Sequence, residues 1–244
     1  MRETILSVKR LTKSFDGLMA LWNMEFDVAK GEVFGVIGPN GAGKTTLFSC
    51  IVGSLSPTSG EVHFKGEKIN GLPNFKVVEK GIVRTHQIVK PFREMTVEEN
   101  VQVGARFGRG KRSGAELAEK TDEVLGLTGL SKRKGALAGS LTIGELKKLE
   151  IARALATEPE VICLDEVMGG LNPAEIKEAM KLILTLKGRG LTVLMIEHHV
   201  HAVMGVSDSL LVLNFGQRIA LGRPEAVRND PAVVAAYLGD AEGA

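Results

Sequence analysis

Apolar residues fall along this chain in two rhythms, and the order in which the rhythms alternate predicts an architecture. Ile5 to Lys9 reads as a first strand. Glu32-Val-Phe-Gly-Val-Ile-Gly38 reads as a second, running into a glycine-rich stretch and then a helix that opens near Lys44. Glu61-Val-His-Phe-Lys-Gly-Glu-Lys-Ile69 alternates apolar and polar residues about Gly66, the pattern of an antiparallel hairpin. Helical spacing then takes over. Thr96-Val-Glu-Glu99 and Ser113-Gly-Ala-Glu116 each set a hydroxyl three residues before a carboxylate, the arrangement that satisfies two free N–H groups at a helix start. Between them Arg106-Phe-Gly-Arg-Gly-Lys-Arg112 is basic and glycine-rich; it reads as a solvated loop or a contact for lipid headgroups.

From Val161 the strand–helix alternation returns. Val161-Ile-Cys-Leu164 and Leu191-Thr-Val-Leu-Met-Ile196 are strands with apolar residues on both faces, and Asn172-Pro173 opens a helix that runs to Gly188. Such strands alternating with helices predict a parallel sheet covered on both sides. Residues 90–158 are then a helical insertion into an α/β core made of residues 1–89 and 159–244, all within one domain. No internal repeat or low-complexity tract interrupts this order.

Composition narrows the classes that remain. The 244 residues, 44% hydrophobic and 25% charged, suffice for one sizeable core with a small subdomain. A formal net charge of +2 is too small for a general nucleic-acid binder, which needs a dense basic face against phosphates. Cys50 and Cys163 sit in apolar sequence and read as reduced, buried residues. The opening lacks the apolar stretch of a signal peptide, and no apolar run approaches the ~20 residues of a membrane span. The expectation is a cytoplasmic protein whose membrane role, if it has one, comes through a partner.

Gly38-Pro39-Asn40-Gly41-Ala42-Gly43-Lys44-Thr45 fits G-x-x-x-x-G-K-[ST] without a mismatch, after a strand and before a helix. Its glycines let backbone N–H groups turn toward phosphate oxygens, and the helix that follows points its positive end at the same anion. Lys44 would reach the β and γ phosphates of a nucleoside triphosphate and the Thr45 hydroxyl would ligate Mg²⁺, with Thr46 beside it on the first helical turn. Asp165-Glu166 ends a buried strand in two adjacent carboxylates, which alone fit either a helix cap or catalysis. With the phosphate loop they predict a triphosphatase: Asp165 holding Mg²⁺ through water, Glu166 polarising the attacking water. His198, His199 and His201 would make a metal site only if they shared one helix; His198 is expected to end a strand, so none is expected.

Leu141-Thr142-Ile143-Gly144-Glu145 precedes a helix, Leu146 to Ala156, with Leu146, Leu149, Ala152 and Ala156 along one face. Thr142 and Glu145 form a capping box, which explains the segment without any ligand. The segment also resembles the L-S-G-G-Q signature of ABC ATPases, and other landmarks of that family follow it. The resemblance implies an α/β fold: a P-loop NTPase (RecA-like) core with an antiparallel β subdomain and an inserted α-helical signature subdomain. It implies that Thr142, Gly144 and Glu145 cap the ATP held by a partner's phosphate loop. Phe15 matches the aromatic that stacks on adenine, or is a core aromatic; Gln87 matches the glutamine that senses Mg²⁺ and the γ-phosphate. Gly170-Leu-Asn-Pro173 matches the loop that crosses the dimer interface, and His198 the switch histidine on the γ-phosphate.

Val83-Arg-Thr-His-Gln87, Pro91-Phe-Arg-Glu-Met-Thr-Val-Glu-Glu-Asn100, Leu149-Glu-Ile-Ala-Arg153, Ile196-Glu-His198 and the ending Asp230-Pro…Tyr237-Leu-Gly239 resemble the ATPases of branched-chain amino-acid importers. That branch implies ATP and Mg²⁺ as cofactors. Its partners are membrane-spanning permease subunits, a second ATPase subunit (a copy or a sibling) and, indirectly, a solute-binding protein, with no nucleic acid. It places the chain peripherally on the inner face of the cell membrane. Phe92, Arg93 and Met95 would meet a coupling helix of the membrane partner, or form a local packing cluster. Three residues depart from the family pattern: Thr142 for serine, Ile143 for glycine and Val167 for proline, and none removes a catalytic group. Rival readings are an ATPase of a lipid-linked polysaccharide exporter, an ABC ATPase serving translation or DNA repair, and a regulatory scaffold with weak hydrolysis.

Overall fold

The computed structural model describes residues 3–87 and 89–238. A long hairpin of β1 (Thr4–Phe15) and β2 (Leu18–Ala29) leads into β3 (Val33–Ile37) and α1 (Lys44–Ile51). There follow β4 (Ser59–Phe64), β5 (Glu67–Lys68), α2 (Asn74–Lys80) and β6 (Ile82–Arg84). The next stretch holds α3 (Val97–Phe107), α4 (Gly114–Thr128) and α5 (Ile143–Ala156). Then come β7 (Val161–Asp165), α6 (Pro173–Gly188), β8 (Thr192–Ile196), α7 (Val200–Val206), β9 (Ser209–Asn214) and β10 (Gln217–Gly222), with α8 (Pro224–Arg228) and α9 (Pro231–Leu238) at the end. Gly239, part of the C-terminal resemblance, lies outside the described residues.

The central sheet runs β10-β9-β3-β8-β7-β6, parallel throughout except that β10 is antiparallel to β9. A second, antiparallel sheet runs β2-β1-β4-β5. The unbroken apolar runs of the central strands have a direct cause. Side chains alternate across a strand, and each face of this sheet meets its own core. Ile162, Leu164, Val193 and Met195 join the cluster shared with the helical stretch, α6 and α7. Val161, Cys163, Leu194 and Ile196 join the cluster shared with α1 and the antiparallel sheet. Both cysteines are buried and unpaired, and burial pushes the Cys163 thiol up to about 12.

Several elements differ from the sequence pattern. β1 is longer than Ile5–Lys9, and β2 has no counterpart in the pattern at all. The inward residues of β2 are Leu21, Met24, Phe26 and Val28; a bulge at Trp22-Asn23, where Asn23 takes φ 47, shifts the alternation by one and hides the strand's period. Thr96 and Glu99 form their capping box on α3. Ser113 does sit at the N-cap of α4 but makes no side-chain cap bond, and Glu116 turns back to the Arg112 guanidinium at 3.2 Å. The basic segment before it is accordingly not a freely solvated loop. Arg112 pairs with Glu158 at 2.7 Å and Arg109 with Glu160, fastening the end of α3 to the chain entering β7. Such partly exposed pairs each contribute little, about 0–1 kcal/mol, but together they fix the loop's path.

α5 begins at Ile143, three residues before the expected start, so the signature residues are its first turn. Its buried face is also wider than the single stripe of Leu146, Leu149, Ala152 and Ala156: Leu146 is only half-buried, while Lys147, Glu150, Ile151, Ala154 and Leu155 are buried. The helix is packed between α3 and α4 on one side and β7 on another, with Thr142 and Ile143 exposed at its N-terminus.

Candidate functional site

The phosphate loop owes its shape to two glycines. Gly38 leaves β3 at φ 148, and a Cβ there would lie 2.1 Å from the Leu213 carbonyl oxygen. Gly43, at φ 100, is the N-cap of α1, and a Cβ there would lie 2.5 Å from the carbonyl oxygen of Ala20. Any side chain at either position would drive backbone into backbone. Between them Asn40, Gly41 and Ala42 line a cleft of about 200 Å³, which Thr45, Thr46, Glu166 and His198 also face. Lys44 is 6% exposed; its Nζ donates to the carbonyl oxygens of Gly38 at 2.6 Å and Pro39 at 2.8 Å. Burial lowers its pKa, and the charges of Glu166 and Asp165 oppose that effect.

β7 carries the two acids to the same place. Asp165 ends the strand and is 1% exposed; its Oδ2 accepts from Arg84 Nη2 at 2.5 Å, and its Oδ1 is buried without a hydrogen-bond partner among the described residues. Glu166 turns off the strand at φ 50, an uncommon conformation for a residue with a side chain, and its N–H is held by the Ile196 carbonyl at 2.9 Å. That turn aims its carboxylate at two neighbours. Oε2 accepts from Gln87 Nε2 at 2.5 Å, and Oε1 lies 2.8 Å from His198 Nε2. Three residues far apart in sequence thus meet at the mouth of the phosphate cleft, because β6, β7 and β8 are adjacent in the sheet.

The remaining expected residues stand apart from this cleft. Thr142 and Glu145 form their capping box at the exposed N-terminus of α5, and Ile143 is 62% exposed there. Gly144 is buried against α6, where a Cβ would meet Glu175 Oε1 at 2.4 Å; Glu175 in turn closes the capping box of that helix with Asn172. Among the described residues, none of Thr142, Gly144 and Glu145 lines the chain's own phosphate cleft. Phe15 does not line the cleft either. It stands 40% exposed at the end of the β1–β2 hairpin with the Lys13 ammonium 4.8 Å above its ring, which removes the core-aromatic reading. Phe92 is 45% exposed beneath the Arg153 guanidinium, 5.0 Å from its ring centre. His199 is the N-cap of α7 and His198 precedes it in the link after β8, so the three histidines do not share a helix.

Three residues of the site carried no role in the sequence reading. Arg84 ties Asp165 to the Ser49 hydroxyl of α1, its Nη1 donating at 2.8 Å. A cation ending an otherwise apolar strand was its visible signal. Lys147, buried on α5, donates from Nζ to the main-chain carbonyls of Gln87 and Glu166. Glu197, 2% exposed, accepts the Met168 N–H at 2.7 Å and so anchors the loop after Glu166. An acid directly after an apolar strand was the signal in that case.

Glu197 also supplies a pH dependence. Burial, helped by the nearby Glu166 charge, raises its carboxyl from 4.5 to about 7 against the N–H bonds from Met168 and His198 and the charge of Lys147. Between those two values the unfolded chain gives up a proton that the folded chain keeps, so stability falls as pH rises through that window and is level on either side of it. Gln at this position keeps the acceptor for Met168 and has no proton to lose. Urea unfolding should therefore show the wild-type chain losing about 2 kcal/mol more than Glu197→Gln between pH 5 and pH 8. Parallel losses in the two proteins would mean that Glu197 is charged throughout.

Comparison with known proteins places the chain among close relatives. Residues 21–169 match the family described as ABC transporter, and residues 217–243 match the one described as branched-chain amino acid ATP-binding cassette transporter. The high-affinity branched-chain amino acid transport ATP-binding protein BraF of Pseudomonas aeruginosa is 41% identical, over 99% of this chain and 100% of its own length. The crystal structure of the ADP conformation of MJ1267, an ATP-binding cassette of an ABC transporter, superposes with a TM-score of 0.88 at 35% identity, covering 97% of this chain and 99% of that one. The dimeric structure of MJ0796, a bacterial ABC transporter cassette, gives 0.82 at 26% identity, over 90% of this chain and 99% of the other.

Proposed function

The chain belongs to the ABC transporter family and is one of its ATP-binding, ATP-hydrolysing subunits; from that premise we propose that the transporter it drives imports branched-chain amino acids. The contact of Glu166 with both Gln87 and His198, at the mouth of the phosphate cleft, carries the catalytic part of this reading. The C-terminal segment 217–243 and the likeness to BraF support the solute class.

Lys44 releases the Gly38 and Pro39 carbonyls and turns its ammonium to the β and γ phosphates, which enter over the N-terminus of α1. Glu166 accepts a hydrogen bond from the attacking water and draws off its proton as the γ-phosphoryl group leaves. His198 orients the Glu166 carboxylate and reaches the γ-phosphate, and Gln87 reports the nucleotide's arrival to the link into the helical stretch. The oxygen donors fit a Mg²⁺: Asp165 Oδ1 is buried with no partner, and the exposed Thr45 hydroxyl opens the helix beside Lys44. Thr45, Asp165 and Gln87 would hold the ion, which would neutralise charge on the β and γ phosphates. Little covalent chemistry is asked of these residues; positioning and charge neutralisation do most of the work.

The exposed first turn of α5 is the second half of the site. Thr142, Gly144 and Glu145 would close on the γ-phosphate held by another cassette, so that two chains sandwich two ATP molecules head to tail. Phe15, exposed at the end of the β1–β2 hairpin, would stack on the adenine of the bound nucleotide. Residues 90–158 move as the signature subdomain against the core of 1–89 and 159–244, and closure re-orients the membrane-spanning partners. No helix among the described residues is long and apolar enough to cross a membrane; the likeness to transport ATP-binding proteins supports a peripheral place on the inner face beside permease subunits. A solute-binding protein outside would deliver the amino acid.

Uptake of labelled leucine, isoleucine and valine tests the solute class. Cells whose only copy of this chain carries Glu166→Gln should lose saturable uptake of all three. Unchanged uptake, with a failure to export surface polysaccharide, would move the chain to an exporter.

A further inference from the structure

Lys147 lies three residues after Gly144 on α5, on the inward side of the helix. The residue is 9% exposed, and its ammonium donates to the Gln87 carbonyl at 3.0 Å and the Glu166 carbonyl at 2.9 Å. Those two carbonyls belong to the residues whose side chains meet at 2.5 Å in the cleft. One ammonium therefore closes a ring: side chain to side chain at the front of the site, main chain to main chain behind it. Charge-assisted bonds of this kind are stronger than neutral ones and hold their geometry. The helix that carries Lys147 begins with the capping box of Thr142 and Glu145, the turn left free at the surface.

We propose that Lys147 is a positioning residue that links the two nucleotide sites of the dimer. Through it, the seating of α5 against the partner's nucleotide sets the spacing of Gln87 and Glu166 around the chain's own. The proposal rests on the head-to-tail reading above. The physical chain is short and stiff: the signature turn, one further turn of a helix buried on most of its surface, an ammonium, and the two carbonyls. A shift of about 1 Å in the frame of a catalytic carboxylate costs on the order of 100-fold in rate, so a link of this length is enough to gate turnover. Lys147 does not line the phosphate cleft; it acts through Gln87 and Glu166.

The test compares the full chain with Lys147→Met, which keeps the length and removes the donors, and Lys147→Arg, which keeps a cation. Phosphate release is followed against ATP concentration, with ATP affinity and thermal midpoint measured beside it. Lys147→Met should lower kcat about 10- to 100-fold and bring the Hill coefficient toward one, with ATP affinity within about twofold of wild type. Lys147→Arg should recover most of both. Unchanged kcat and Hill coefficient in Lys147→Met would overturn the proposal. So would a loss of rate accompanied by lost affinity and a lowered thermal midpoint without recovery in Lys147→Arg, the mark of a merely structural lysine. Non-cooperative hydrolysis by a monomeric wild-type chain would overturn the head-to-tail reading itself, and the proposal with it.

Discussion

Glu166→Gln should bind ATP as the wild type does and hydrolyse it on the order of 10²- to 10⁴-fold more slowly, the range a positioned general base contributes. The substitution is nearly isosteric. Its amide still meets His198 at the position where Oε1 lies 2.8 Å from Nε2, and Gln87 still has an oxygen to bond. What disappears is the basicity that takes the proton from water. Because the strained φ of 50 is set by the backbone bond to Ile196, the side chain remains aimed at the cleft in the variant. ATP therefore stays bound and unhydrolysed, and the state that precedes hydrolysis accumulates. Phosphate release and equilibrium ATP binding, measured on one preparation, check both halves. A variant that hydrolyses ATP at nearly the wild-type rate would remove Glu166 from its role.

Lys44→Ala should have the opposite signature, with binding itself lost. The ammonium is buried beside two carboxylates and donates to the Gly38 and Pro39 carbonyls. A triphosphate brings more charge than those carbonyls do, and Lys44 is the side-chain cation among the residues lining the cleft. Its loss should weaken ATP about 100-fold, on the order of 2.7 kcal/mol at about 1.4 kcal/mol per decade, and take turnover below detection. The fold should not suffer. Burial lowers the pKa of this lysine, so the folded chain gains nothing from holding its charge, and the thermal midpoint should stay near that of the wild type. Calorimetric titration with ATP and a thermal melt separate the two effects. ATP affinity within twofold of wild type would displace Lys44 from the phosphates.

The two variants depend on parts of the site that differed in how far they could be read. The phosphate loop is contiguous, and its chemistry follows from spacing alone: strand, glycine turn, lysine and helix all lie within Val33–Ile51. The acid pair is nearly as local. By contrast, the meeting of Gln87, Glu166 and His198 depends on strand order, which no periodicity encodes; the acid pair proposed Glu166, resemblance to a family proposed Gln87 and His198, and the order β8-β7-β6 makes the three neighbours. Lys147 escaped notice because a lysine in the first turns of a helix reads as solvated surface. Here α5 is enclosed on most sides, and the two backbone carbonyls that it meets are 60 and 19 residues away. The ion pairs of Arg109 and Arg112 were illegible for the same reason, since their acids Glu160 and Glu158 lie some fifty residues on. β2 was lost to irregular pairing: a bulge at Trp22-Asn23 breaks the period-2 signal, although the residues from Met24 to Val28 obey it. Local rules found the catalytic loop; long-range pairing decided everything around it.

The central claim is that ATP closes two cassettes on each other, each supplying Lys44 and Glu166 to one nucleotide and Thr142, Gly144 and Glu145 to the other. Light scattering on the Glu166→Gln chain at saturating ATP and Mg²⁺, with bound nucleotide counted in the eluted peak, tests it most directly. The account predicts a mass of two chains carrying two ATP molecules, returning to one chain when ATP is withdrawn. A single-chain mass at saturating ATP, from a protein whose wild type hydrolyses ATP under the same conditions, would contradict it.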